Sequence, residues 1–264
     1  MNLVSIVILN WNGKEFLQRF LPKLVEYSDL PGAEIVIVDN GSVDDSVAYL
    51  EAHWPDLRVI VLNENHGFSG GYNKGMAQLD SSYFLLINTD IEVTPGWLEP
   101  LLEQMEKGEN VAACTPKIKD INKLSHFEYA GACGGFIDRY GYPFCRGRIF
   151  DHLEEDRGQY DNATEVFWGT GACLLVRADL YKEVGGLDEQ FFAHMEEIDL
   201  CWRLKRLGYK IHVVPKSTVL HVGGGTLNRG DPLKTFLNFR NNLLLLYKNL
   251  PRHKKRRIIL KRMA

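Results

Sequence analysis

Five places along the 264-residue chain hold residues whose types and spacing could do chemistry. In VDNGS, Asp39 closes an apolar run; a carboxylate there can accept hydrogen bonds from a nucleotide base or ribose, and Gly41 lets a ligand approach the backbone. Asp39 and Ser42 could equally cap the next helix, and the motif alone leaves both readings open. Next, Asn63 or Asn65 leads into Gly67, Phe68, Gly70, Gly71, Asn73 and Gly75. So many glycines suit a helix start poorly, so the backbone there must approach something closely, such as a ligand's base or diphosphate. Packing on a sheet would explain one or two of these glycines, but not the asparagines as well. The stretch lacks the Gly-Lys-Ser/Thr of a Walker A loop and does not follow the first strand as a Rossmann fingerprint does.

The third place is Asn88-Thr89-Asp90 after YFLLI. Magnesium or manganese held between a protein and a diphosphate takes one or two carboxylates, with phosphate and water completing the shell; Asp90 could supply one. A lone strand-end aspartate is also a common turn residue. The fourth place is FFAHMEEIDLCWR, residues 191–203, with Glu196, Glu197 and Asp199 at a predicted helix start, where the macrodipole favours negative charge. Crowded carboxylates also raise one another's pKa, which makes Glu196 and Glu197 functional-site candidates. Asp199 and Arg203, four apart, read as a structural ion pair. The fifth place is His221, leading Gly223 to Gly225, where a flexible turn could close over a metal or phosphate.

The elements that must position these residues alternate in type. Apolar, β-branched runs at 3–9 and 34–38 flank a helical pattern of Phe16, Leu17, Phe20, Leu21, Leu24 and Val25. The alternation continues with helices near 43–53, 69–79 and 95–107 and strands at 57–62, 82–87 and 111–118. Buried strands alternating with helices predict an α/β fold with a mostly parallel sheet covered on both faces, with ligands beyond the carboxyl ends of its strands. Asn10 to Gly13, Asp39 to Ser42, Asn63 to Gly67 and Asn88 to Asp90 fall at those ends. Residues 119–165 lose the rhythm and read as loops or hairpins that shape a cleft. A strand near 171–177, a helix at 195–207, a strand near 210–214 and a helical tail from 232 follow, the tail placing Phe236, Phe239, Leu243, Leu246 and Leu250 at helical spacing on the face expected to pack on the body.

Composition bounds the rest. Apolar residues make up 45% and charged residues 25%, as in folded globular domains. There is no apolar run long enough to span a bilayer and no cleavable leader pattern at the start. The five cysteines form no CxxC pair, which argues against a disulfide framework or zinc site and for a reducing, cytoplasmic setting. The net charge is −3, yet residues 252–264 carry seven Lys/Arg and no acid, leaving 24 basic against 34 acidic residues elsewhere. That acidic body argues against nucleic-acid binding, while the basic tail, interspersed with Ile258, Ile259, Leu260 and Met263, could sit on an anionic membrane surface.

In order along residues 4–250, SIVILNWNG, VDNGS, NHGFSGGYNKG, NTD, GTGACLLVR, GGLDEQFFAHMEEIDLCWR and HVGGGT resemble the motifs of family-2 inverting nucleotide-sugar glycosyltransferases, in particular the rhamnosyltransferase-like branch of bacterial polysaccharide synthesis. The resemblance implies a GT-A fold over residues 1–231, with a nucleotide-sugar half to about 118 and an acceptor half from 119, followed by a C-terminal segment at 232–264. It implies that Asp39 holds the base or ribose and that Asn10, Asn12, Asn40, Gly67, Phe68, Gly71, Asn73, Asn88 and Thr89 line the nucleotide pocket. Asp90 and His221 would bind a divalent cation, Mg²⁺ or Mn²⁺, at the diphosphate, and Trp168, Gly169 and Thr170 would meet the acceptor, a saccharide or lipid-linked saccharide. In the acidic pair the second member is the family's usual base, here Glu197, with Glu196 the alternative. Two departures stand out: Asn88 replaces the first aspartate of DxD, and Glu-Glu replaces Glu-Asp.

Such an enzyme needs one displacement: a carboxylate takes the acceptor hydroxyl's proton as the hydroxyl attacks the anomeric carbon, and the diphosphate leaves from the opposite face. Two other readings compete. A sugar nucleotidyltransferase would carry an early basic glycine loop for a triphosphate, where this chain offers Lys14 alone; a nucleotide-sugar-binding protein without activity would lack the base, whereas MEEID is intact.

Overall fold

The computed structural model describes residues 2–129, 131–223 and 232–263. The first part runs β1 (Asn2–Asn10), α1 (Lys14–Tyr27), β2 (Ala33–Asp39), α2 (Ser46–His53), β3 (Arg58–Val61), α3 (Gly67–Met76), β4 (Ser81–Asn88), β5 (Ile91–Val93), α4 (Glu99–Glu106) and β6 (Val111–Asp120). Then come six short strands, β7 (Lys123–Phe127), β8 (Gly135–Ile137), β9 (Pro143–Cys145), β10 (Arg148–Ile149), β11 (His152–Leu153) and β12 (Thr164–Val166). The chain continues through β13 (Cys173–Arg177), α5 (Ala178–Glu183), a 3-10 turn at Glu189–Phe191, α6 (Glu196–Arg206), β14 (Lys210–His221), α7 (Pro232–Asn249) and α8 (Arg252–Met263).

The main sheet is ordered β12-β14-β6-β13-β4-β1-β2-β3, with β5 on β14 and β7 on β6. Strands β1 to β4 pair in parallel, as do β6 and β14. Strand β13 enters antiparallel between β4 and β6, which places its first residues beside the last of β4. The sheet is therefore mostly parallel in strand direction and flanked by helices, as the alternation of elements predicts. Residues of β1 alternate faces as a pleated strand must: Val4, Ile6 and Ile8 join one core with Leu17 and Leu21 of α1, and Val7 joins another with Tyr72 and Met76 of α3. Full burial of each such aliphatic side chain is worth about 1.5–3 kcal/mol.

The irregular stretch after β6 does form hairpins, β8 with β9 and β10 with β11, laid beside the sheet. The last strand is longer than expected. It carries an irregularity between Val214 and Thr218, around Pro215, and resumes pairing with β6 as far as His221. Helix α7 buries Leu237, Asn241, Asn242, Leu245, Leu246 and Asn249, whereas Phe236 and Phe239, expected on its packed face, stand 58% and 68% exposed. The packed face instead presents Leu237, Leu245 and Leu246 to the core and the Asn241 amide to three backbone carbonyls. All five cysteines are free and buried. Among the described residues no helix is long and apolar enough to cross a membrane.

Candidate active site

The sheet's topology gathers the sequence motifs at one edge. Asn10 pairs with Asp39 across β1 and β2, and Leu9 pairs with Asn88 across β1 and β4. Asn88 donates its N–H to Ala172 O at 3.0 Å, joining the NTD segment to the GTGAC turn. Val222, next to the end of β14, donates to Asp90 O at 3.2 Å, which brings in His221.

Asp90 and His221 meet directly, with Nε2 of the imidazole 3.1 Å from Asp90 Oδ1 and both side chains nearly buried. On the other side of the ring, Nδ1 lies 3.5 Å from Glu128 Oε1. Burial disfavours the charged imidazole, but the two carboxylates outweigh it and push His221 up to about 10. Oxygen from Asp90 suits magnesium or manganese, and the imidazole of His221 can add a nitrogen, better matched to manganese, once a cation displaces its proton. Among the described residues no three such groups converge into a cage, as expected where phosphate and water complete the shell. Gly224 and Gly225 of the glycine turn lie outside the described residues; Gly223 has a left-handed φ of 71°, and a Cβ there would meet Glu128 Oε1 at 3.1 Å.

The acidic pair opens α6 after an unusual approach: Phe192, His194 and Met195 all have left-handed φ, at 62°, 68° and 75°. Non-glycine residues held there carry about 1–3 kcal/mol of strain each, and such strain clusters at functional sites. Glu196 is buried and its carboxyl is raised well above the usual range, by burial first and by the Glu197 charge second. Glu197 is partly exposed; burial of its carboxyl raises it too, against a lowering by backbone N–H groups of the helix start and of Gly171. One oxygen of each, Oε2, has no hydrogen-bond partner. A Cβ on Gly171 would stand 3.5 Å from both Glu197 Cβ and Phe68 Cζ, so Glu197 sits where the GTGAC turn meets the glycine-rich helix. The Asp199–Arg203 pair is present at 2.7 Å, with Asp199 fully buried and also held by Lys248 and Asn249.

The nucleotide side differs in kind. Asp39 is fully buried and accepts from Asn10 Nδ2 at 2.9 Å and from the Ser42 N–H at 3.0 Å, so it ties the turn rather than capping α2, which begins at Ser46. Asn12 Oδ1 accepts from Val43 N at 2.8 Å. Asn40 clasps the loop ahead of α3, donating to Asn65 Oδ1 and Gly67 O and accepting from His66 N. Gly71 and Gly75 let α3 lie on the sheet, since a Cβ would meet Leu9 Cδ1 at 2.5 Å and Val38 Cγ2 at 2.3 Å.

Four of the expected contact residues also have internal partners. Asn73, expected to line the nucleotide pocket, donates to Leu187 O at 2.8 Å and accepts from Leu187 N and Tyr181 Oη at 3.0 and 2.7 Å; its amide braces the GGLDE segment. Trp168, Gly169 and Thr170, expected to meet the acceptor, are buried. Trp168 lies under Gly135 and donates its indole N–H to Phe136 O, Gly169 fits against Thr115 and Leu174, and Thr170 is buried against Gly131. Phe68, Thr89 and Asn88 remain partly exposed at the edge.

Residues 5–185 match the family described as glycosyl transferase family 2. The chain belongs to glycosyl transferase family 2. This glycosyltransferase is 26% identical over 234 residues to the N-acetylglucosaminyl-diphospho-decaprenol L-rhamnosyltransferase of Mycobacterium tuberculosis, covering 83% of this chain and 76% of the relative. It is 27% identical to the O-antigen biosynthesis protein RfbC of Myxococcus xanthus, over 83% of this chain but 17% of that longer protein. GalNAc-T7, solved with UDP, GalNAc and Mn²⁺, shares the fold at a TM-score of 0.69 and 17% identity, covering 93% of this chain and 48% of its own. The mannosyltransferase PcManGT from Pyrobaculum calidifontis, solved with GDP-Man and Mn²⁺, does so at 0.65 and 14%, covering 99% and 68%.

Three residues that the structure places at this candidate site were not singled out from the sequence as site residues. Glu128 belongs to the irregular stretch, where no period points to it. Trp11, 46% exposed just beyond β1, was legible as an aromatic inside a polar turn. Asn241 was hidden by the Phe236 and Phe239 spacing.

Proposed function

We propose that this glycosyltransferase moves a sugar from a nucleotide-diphosphate donor to a saccharide or lipid-linked saccharide acceptor with inversion, in cell-surface glycan synthesis, with Glu197 as the base. The observation that carries the reading is the position of Glu197: partly exposed, one oxygen unpartnered, beside Gly171 and Phe68 at the edge where Asp90 and His221 meet. Its raised carboxyl pKa suits proton abstraction nearer neutral pH. Glu197 accepts the proton of the acceptor hydroxyl as that oxygen bonds to the anomeric carbon, and the carbon–oxygen bond to the diphosphate breaks with its electron pair on the departing group. Glu196, buried behind it, remains protonated and keeps a second negative charge away from Glu197.

Asp90 and His221 would hold the divalent cation. When bound, that cation offsets the charge growing on the departing diphosphate. The open ends of β1 and β4, with Trp11, Asn12, Asn88 and Thr89, would receive the nucleotide. The acceptor class draws support from the decaprenol-linked acceptor in the name of the mycobacterial relative. The basic helix α8 would hold the enzyme peripherally on an anionic cytoplasmic membrane surface, where each basic residue contributes about 1 kcal/mol. The test compares Glu197→Gln with Glu196→Gln: the first is expected to lower turnover by about 10²–10⁴ with donor binding nearly intact. Near-normal transfer by Glu197→Gln, with loss in Glu196→Gln, moves the base one residue back.

A further inference from the structure

The backbone carbonyls leading into the acidic pair can be followed one by one. Gln190 O accepts from Arg240 Nη2 at 3.2 Å, and Phe191 O accepts from Arg240 Nη2 at 3.1 Å and from Asn241 Nδ2 at 2.9 Å. Phe192 O accepts from the Phe68 N–H at 2.9 Å. Ala193 O and His194 O accept from Asn241 Nδ2 at 2.7 and 2.8 Å, and Met195 O accepts from Asp199 N as α6 begins. Of these six carbonyls, four are held by two adjacent residues of α7, and one amide nitrogen takes three of them. Asn241 is itself fully buried, and its Oδ1 accepts from Arg240 Nε at 2.9 Å, which aims the NH₂ group at the loop.

The loop would not adopt this course unaided. Phe192, His194 and Met195 are all left-handed without being glycine, a conformation that persists where surrounding structure imposes it. The carbonyls of Phe191, Ala193 and His194 converge on one point because of those left-handed residues, and Asn241 occupies that point. Its amide can donate twice, so the three acceptors share it.

We infer that Asn241 is the positioning residue for the catalytic base: by gathering the carbonyls of residues 191–194 it sets where α6 starts and so where Glu197 stands relative to Gly171 and the strand ends. This rests on the assignment of the base to the acidic pair. Helix α7 keeps other attachments, from Lys248 to Asp188 and Asp199 and from Asn249 to Asp199, so removing the Asn241 amide frees the loop without undocking the helix.

The test is a double-mutant cycle on the full chain, with transfer assayed at saturating donor and nucleoside diphosphate binding measured by calorimetry. Asn241→Ala is expected to lower kcat by about 10- to 100-fold, as loss of a group that orients a catalytic residue does, while the donor KM and nucleoside diphosphate affinity stay within about threefold. In the Glu197→Gln background the same change is expected to cost at most about twofold, because the group it positions is gone. Full additivity of the two losses, or wild-type kcat in Asn241→Ala, overturns the inference. Glu197→Gln and Glu196→Gln each retaining transfer overturns instead the base assignment, and the inference with it. Should Asn241→Ala fold poorly, Arg240→Ala removes the bonds to Gln190 and Phe191 from a largely exposed position; a smaller kcat loss with the same non-additivity is expected, and an additive one overturns the inference.

Discussion

The two sides of the strand edge use their polar residues in opposite ways. On the β1–β2–α3 side the amides and the carboxylate are spent on one another: Asp39 on Asn10 and Ser42, Asn12 on Val43, Asn40 on the Asn65 loop, Asn73 on Leu187 and Tyr181. Asn10 Oδ1 and, within α3, Ser69 Oγ are exceptions, buried without a partner. On the α6–β14 side Glu196 Oε2 and Glu197 Oε2 lack hydrogen-bond partners, His221 sits between the Asp90 and Glu128 carboxylates, and the backbone before the acids is strained. Leaving a buried polar group unsatisfied costs about 1–3 kcal/mol, and two adjacent carboxyl oxygens left so suit a place where a proton is bound or moved. The amides and Asp39 of the first side are largely committed to the fold, whereas each acid of the second keeps one oxygen without a partner, as a proton acceptor requires.

The largest effect that could break this comparison is expected from Asp90→Ala. If the α6–β14 side is where ligand chemistry resides, this change weakens nucleoside diphosphate binding in the presence of Mn²⁺ by about 10²-fold, in line with the several kcal/mol a bound cation supplies, and leaves binding in excess EDTA unchanged. Calorimetry with UDP, GDP and dTDP measures it; equal wild-type affinity with and without chelator removes the cation from the site.

On the committed side, Asn73→Ala should act on stability rather than chemistry. Loss of the bonds to Leu187 and Tyr181 is expected to cost about 1–3 kcal/mol, read as a fall in Tm of about 2–4 °C per kcal/mol, with kcat of the folded enzyme changed by less than about threefold. A collapse of nucleotide affinity at unchanged Tm would return Asn73 to the pocket.

Glu196→Gln should do the reverse. A carboxyl whose folded pKa is raised favours the folded state while protonated, and that contribution is lost as pH rises through the folded pKa. Glutamine cannot ionise, so the variant is expected to be more stable than the native chain at alkaline pH by about 1 kcal/mol or more, the difference shrinking toward acid pH. Thermal melts at several pH values check the sign; a constant difference would mean that Glu196 does not titrate in the folded protein.

The smallest effect is that of the tail. Helix α8 is basic on all sides, and some of its charge turns inward, Arg262 lying over Tyr142 and Lys255 over Tyr247. Co-sedimentation with anionic vesicles at low salt is expected for the full chain and to weaken for one ending at Leu250; equal sedimentation of the two would make α8 a packing element alone.

By itself the sequence determined the alternation of elements, the strand-end placement of the motifs, the acidic pair and the Asp199–Arg203 ion pair, because these depend on local period and on spacings of a few residues. It could not determine which internal partners the motif residues take. A Cβ at Gly71 or Gly75 would meet the sheet, Trp168 lies beneath Gly135, and Asn73 braces Leu187, 114 residues away; each outcome depends on what stands opposite, and period says which face is covered but not by what. Strand β13 was legible as a strand, while its antiparallel entry beside β4, which brings Gly171 to Glu197, follows from long-range pairing. The same holds for α7. Its phenylalanines suggested the buried face, but part of the surface it meets is a row of carbonyls from the loop before α6, and a buried carbonyl needs a donor more than it needs an apolar neighbour. Tertiary structure therefore chose Asn241 over Phe239, and with it the path of the loop that carries Glu197.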